Sequence, residues 1–222
     1  MGKFSPAMKT TLLPLVILTA AASAQTMPVK STNVSERFSV GIGYAMANDT
    51  WAFAGAPFQV DSTATIIDVR ATVYQNIFLT ASYSDIKTDL PAGEGPGNLD
   101  MSSHSFGFGT KIAAGNGNLE LSYAYNTVKI DFESVNLNQN ILKAGYTVDV
   151  GSGFNVGLAV IYISNKDVTN APPIDNVTAP VVTVGYKFGQ GFSADLSYST
   201  ENTVFGAPDA DGTTTIGVRY GF

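Results

Sequence analysis

Nine charged residues in this chain stand in strongly apolar company. Asp68, Arg70, Lys111, Glu120, Lys143, Asp149, Lys187, Asp195 and Arg219 sit in alternating stretches such as Ile67-Asp68-Val69-Arg70 and Tyr186-Lys187-Phe188. Alternation sends neighbouring side chains to opposite faces of a strand, so each charge shares a face with the small and polar residues of its segment. Four acids and five bases of this kind can neutralise one another in a confined space, or filter ions if they stay apart. Catalysis has less to work with. His104 is the single histidine, and Ser103 and Ser105 are its only conceivable nucleophile partners. As strand neighbours they point away from it, so no catalytic residue is assigned. The chain has no cysteine, which excludes disulfides and thiolate metal sites. "DADG" at 209–212 lacks the later ligands of a calcium loop and reads as a turn. "GFGTKI" and "GIGYAM" lack the third glycine and the helix of a nucleotide loop. No metal and no cofactor is expected.

The elements that position these charges are strands. Period-two alternation recurs in ten segments, at 37–46, 64–74, 77–86, 103–113, 118–128, 141–150, 154–163, 181–188, 192–199 and 213–222. One face of each is apolar and nearly free of charge; the other is mostly Gly, Ser, Thr and Ala. Four connections are short, "QN" at 75, "AGNG" at 114, "GSG" at 151 and "GQG" at 189, all tight-turn chemistry. Five are long, at 47–63, 87–102, 129–140, 164–180 and 200–212, and hold most of the acids. Related text after the short turns, "NIFLTASY", "GNLELSY" and "GFSADLSY", marks a repeated hairpin unit.

Two architectures suit such strands, a soluble sandwich and a membrane barrel. A sandwich exposes its polar face to water and loads it with charge, whereas these polar faces carry one or two charges each. Aromatic residues also collect at two levels. Phe154, Tyr186, Phe188, Phe192, Tyr220 and Phe222 lie near short turns or the chain end, and Tyr44, Tyr83, Tyr125, Tyr162 and Tyr198 lie toward the long loops. Both features point to an all-β, transmembrane, antiparallel up-and-down β-barrel of ten strands, with eight or twelve as the alternatives. Lys3, Lys9, the apolar run to Ala24 and its closing Ala22-Ser23-Ala24 read as a secretory signal peptide at 1–24. Residues 25–36 form a periplasmic N-terminal segment and 37–222 the barrel. The chain's 12 basic and 18 acidic residues, two of the basic ones in the leader, make a nucleic-acid partner unexpected.

Residues 215–222, Thr-Ile-Gly-Val-Arg-Tyr-Gly-Phe, resemble the C-terminal assembly signal of Gram-negative outer-membrane β-barrels. The match rests on Gly217, Tyr220 and the aromatic Phe222. Together with the leader and the ten amphipathic strands, it makes the chain similar to the small porin-like outer-membrane proteins. The resemblance implies a last strand that closes the barrel and is read by the outer-membrane assembly machinery, an integral outer-membrane location, and lipid and lipopolysaccharide as surroundings.

The functional expectation is a narrow, cation-leaning small-solute channel or a structural barrel, monomeric in either case. The nine charges line the lumen, paired as a prop or poised as a constriction. Acids crowd the long loops: Asp49, Asp61, Asp85, Asp89, Glu94, Asp100, Asp131, Glu133, Asp167, Asp175, Glu201, Asp209 and Asp211 face only Lys87, Lys129 and Lys166. That mouth would concentrate cations. The alternative is an adhesin or ligand-binding barrel acting through its loops, where Trp51, Phe53 and Phe58 could form a contact patch; Trp51 is read instead as part of the outer aromatic girdle. An outer-membrane protease or lipid-modifying enzyme is a lesser alternative.

Overall fold

Tight reversals divide the chain. The computed structural model describes residues 37–53, 56–89, 98–130, 135–166, 176–200 and 211–222, so the leader and the segment to 36 lie outside the described residues. Turns fall at Gln75-Asn76, Gly115-Asn116, Ser152-Gly153 and Gln190-Gly191. Hairpin turns that match strand twist need left-handed backbone, and φ is 59° at Gly115, 85° at Gly153 and 84° at Gly191. Gln75, Ser152 and Gln190 adopt the same region at 35°, 49° and 50°.

Between the turns run ten strands: β1 (Phe38–Phe53), β2 (Ala56–Tyr74), β3 (Ile77–Asp89), β4 (Asn98–Ala114), β5 (Gly117–Ile130), β6 (Val135–Gly151), β7 (Phe154–Asn165), β8 (Val177–Gly189), β9 (Phe192–Ser199) and β10 (Asp211–Gly221). Each pairs antiparallel with its sequence neighbours, and β1 pairs with β10 to close the barrel. Closure satisfies every ladder internally, the condition for a sheet to cross lipid. The last residues make the seam: Phe222 N donates to Phe38 O at 2.9 Å, Phe38 N donates back to Phe222 O at 3.1 Å, and their rings lie 5.1 Å apart.

Most strands run longer than their clean alternation indicates, chiefly at the long-loop end. β1 and β2 stay paired until Phe53 meets Ala56, so the segment 47–63 is a hairpin extension rather than a loop. Trp51 and Phe58 are register partners on it. β6 begins at Val135 and β8 at Val177, which likewise corrects the loop readings at 129–140 and 164–180. The reason is a change of face. Across the lipid band the apolar residues point outward: Ile42, Leu158 and Ile216 are all at least half exposed. Beyond the tyrosine level the ladder continues with apolar residues inside. Ile86, Met101, Val128 and Ile163 are buried, while Asp85, Lys87, Asp89, Asp100 and Lys129 point out. These charges are strand residues above the lipid, not loop residues.

The girdles sit at the two levels expected of them. Near the short turns, Phe154 contacts Tyr186 at 4.6 Å, Tyr186 contacts Phe188 at 5.0 Å, and Phe192 contacts Tyr220 at 4.6 Å. Toward the long loops, Tyr44, Tyr83, Tyr125, Tyr162 and Tyr198 are exposed on the outer face.

Candidate functional site

The candidate site is the lumen. Inward positions of β2, β5, β6, β9 and β10 bring six charges to one belt across the barrel. Arg70 Nη1 donates to Glu120 Oε2 at 2.8 Å, joining β2 to β5. The Arg70 guanidinium also stacks 3.3 Å from the centre of the Phe78 ring, a planar contact that a lysine could not reproduce. Arg219 pairs with Asp68 and donates from Nη1 to Ser39 Oγ at 3.1 Å. Between Arg219 and Asp68 lies Gly41, register partner of both. A Cβ on Gly41 would collide with Asp68 Oδ1, so the ion pair crosses β1 where no side chain stands in its way. Asp68, Arg70, Glu120 and Arg219 are all buried. Lys143 and Asp195 complete the belt; Lys143 is within electrostatic reach of Glu120 and Asp195.

The remaining three expected lumenal charges lie nearer the short turns. Lys187 Nζ is 3.3 Å from Asp149 Oδ1 in a partly exposed pair, and Lys111 is the register partner of Glu120. Four of the nine charges, Asp68, Arg70, Glu120 and Arg219, are therefore buried; Lys143, Asp195, Lys111 and Lys187 are half-buried and Asp149 is exposed. Burying charge is tolerable when geometry and further hydrogen bonds compensate, yet the compensation is incomplete. Asp68 Oδ1, Glu120 Oε1, Asp195 Oδ2 and Arg219 Nε have no hydrogen-bond partner among the described residues.

His104 lies outside the lumen, exposed, with its ring 5.0 Å from Tyr83. Ser103 and Ser105 are buried on the inner face. The one nucleophile–base pair the sequence offers is thus split across the wall. Among the described residues no group of His, Asp or Glu could hold a metal.

A family model described as Gram-negative porin matches residues 17–168. The chain belongs to the Gram-negative porin family. The match takes in β1 to β7, and the closed barrel supplies the remaining three strands of this porin-family protein. No curated protein matches its sequence. Among solved structures it is similar to an outer membrane channel from Pseudomonas putida F1, at 8% identity, covering 87% of this chain and 100% of that one, with a TM-score of 0.53. It is more distantly similar to the translocator domain of the autotransporter NalP from Neisseria meningitidis, at 14% identity over 97% of this chain and 100% of that one, TM-score 0.47. The outer membrane protease OmpT from Escherichia coli follows at 12% identity over 87% of this chain and 99% of that one, TM-score 0.44. At these identities the likeness is one of fold.

Two features of this porin's lumen escape a reading of alternation alone. One is the aliphatic tier above the belt. Ala45, Ala64, Ile86 and Met101 form one register row on β1 to β4, and Ile141, Ile163 and Val177 another on β6 to β8. The signal was present as apolar residues on the polar parity past the tyrosines. The other is an amide ladder in which Asn126 Nδ2 donates to Gln139 Oε1 and Gln139 Nε2 to Asn165 Oδ1, each at 2.9 Å.

Proposed function

We propose that this outer-membrane barrel is a narrow, cation-leaning channel for small solutes, with the charged belt as its constriction and no catalytic role. The observation that carries the reading is the set of buried belt atoms without protein partners. A buried polar atom left without a hydrogen bond costs roughly 1–3 kcal/mol even where its group is otherwise ion-paired, so these atoms suit water or a passing solute. Three of the four are carboxylate oxygens, which favours cations. The acids Asp61 and Asp89, exposed side by side in register at the long-loop end, act in the same direction. Outside that end, lipid and lipopolysaccharide are the surroundings, and the seam strand with Gly217, Tyr220 and Phe222 is the element the assembly machinery would read.

A second reading has its own support. The Arg70–Glu120 and Arg219–Asp68 pairs tie β2 to β5 and to β10, as an internal prop would. Planar-bilayer conductance of the refolded barrel in asymmetric salt separates the two. A channel gives discrete steps with a cation-selective reversal potential that weakens in Asp195→Asn. A folded, heat-modifiable barrel that stays silent is a structural protein.

A further inference from the structure

The lumen is lopsided. Its largest fully buried side chains, Phe78, Ile86, Met101, Gln139, Ile161 and Ile163, all stand on β3, β4, β6 and β7. On β9, β10 and β1 the inward residues are Gly, Ala, Ser and Thr apart from Asp195 and Arg219. Small residues alone would say little. The second observation is where unmet hydrogen bonding collects: of the eight buried side-chain atoms without a partner among the described residues, five belong to Asp68, Asp195, Ser199, Thr215 and Arg219. All five lie on β9, β10 and β2, the arc centred on β1. Ser199 and Thr215 are at most 1% exposed, and their inward hydroxyls have no partner among the described residues.

We propose that the permeation path is eccentric and runs along the β9–β10–β1 wall, past Ser199 and Thr215 to Asp195 and Arg219. This rests on the channel reading and says where in the lumen the solute goes. Parting the two sides of a lumen costs least where the exposed groups gain hydrogen bonds and most where aliphatic surface meets water. On the small arc, opening supplies partners to orphaned oxygens. On the bulky wall the other three unpartnered atoms, Ser84 Oγ, Glu120 Oε1 and Asn126 Oδ1, share their strands with or stand opposite Ile86, Val128 and Ile163, which have no exposed surface at all, so opening there also wets hydrocarbon. The solutes favoured are therefore small and rich in hydrogen-bonding groups. Apolar molecules gain nothing on this route.

The chain has no cysteine of its own, so introduced thiols report without background. Ser199→Cys and Thr215→Cys on one wall, and Ile86→Cys, Val128→Cys and Ile163→Cys on the other, are refolded into bilayers. Each is checked for heat-modifiable mobility and treated with a small cationic methanethiosulfonate. The arc positions should react about tenfold faster or more, and reaction there should cut the conductance while leaving the others' unchanged. Equal rates, or faster reaction on the bulky wall, would overturn the proposal. The serine and threonine changes are close in size, so failure to fold is not expected to mask the result. Fast labelling of the arc in a barrel that carries no current in any variant would keep the arc as the wet wall and sink the channel reading instead.

Discussion

The two walls of the lumen solve different problems with the same backbone. On β3 to β7 the interior resembles that of a soluble protein: Phe78 under the Arg70 guanidinium, isoleucines without exposed surface, and an amide ladder whose donors are matched. On β9, β10 and β1 the interior is glycine, serine and threonine, with a salt bridge laid over Gly41 and oxygens left over. A barrel meant only to be stable would pack both walls in the first manner. The difference locates the tighter packing on one side and, on the other, the wall that the proposed channel would use.

The largest effect should come from the one strong interaction on the small arc. Arg219→Ala leaves Asp68 buried without its ion-pair partner, and Asp68→Ala leaves Arg219 buried with the neutral Ser39 hydroxyl in place of its carboxylate. Each should lower the unfolding free energy by about 3–5 kcal/mol. The double substitution should cost clearly less than the two added together, because the second removal relieves the stranded charge. Urea unfolding in lipid vesicles, followed by the single tryptophan, reads all three. Additive losses would mean the pair is solvated and the arc already wet at the belt.

Next comes the bulky wall. Ile163→Ala removes a side chain with no exposed surface, so it should cost about 2–5 kcal/mol. It should leave ion selectivity as it was, since the hole opens beside Ile141 and Val177, its register partners, and not beside a charge. A loss below about 1 kcal/mol would show a loosely filled wall and erase the contrast between the two sides.

How far this was legible in the sequence follows from what alternation reports. Parity is local, so the inward positions of Asp68, Glu120 and Arg219 could be read from their neighbours. Tight-turn chemistry at Gln75, Gly115, Gly151 and Gly189 gave strand number and order. Alternation does not say which medium each face meets. Ile86, Val128 and Ile163 keep the parity of the polar face but lie beyond the tyrosine girdle, where outside means water and inside means core. The strand ends just beyond them, within 87–102, 129–140 and 164–180, therefore looked like loops. Nor does parity report partners across the barrel: that Arg70 finds Glu120 three strands away, while Asp195 Oδ2 finds nothing, depends on the tilt and closure of the whole sheet.

The smallest effect is the most discriminating, because its sign is unusual. Thr215→Val keeps the shape of the side chain and deletes a hydroxyl that is buried without a partner. An unsatisfied buried polar group is a standing cost of about 1–3 kcal/mol. The valine barrel should therefore be slightly more stable, by about 1 kcal/mol, against the usual trend for substitutions in a packed interior. The same change puts a methyl where the path needs a hydrogen-bonding group, so conductance should fall as stability rises. The matching change on the other wall, Ile163→Thr, should do the reverse to stability, since it buries a new hydroxyl between Ile141 and Val177, its register partners. Unfolding midpoints and single-channel currents on the same two preparations decide it. If Thr215→Val destabilises the barrel, its hydroxyl is well bonded, and the small arc is merely a thin part of the core.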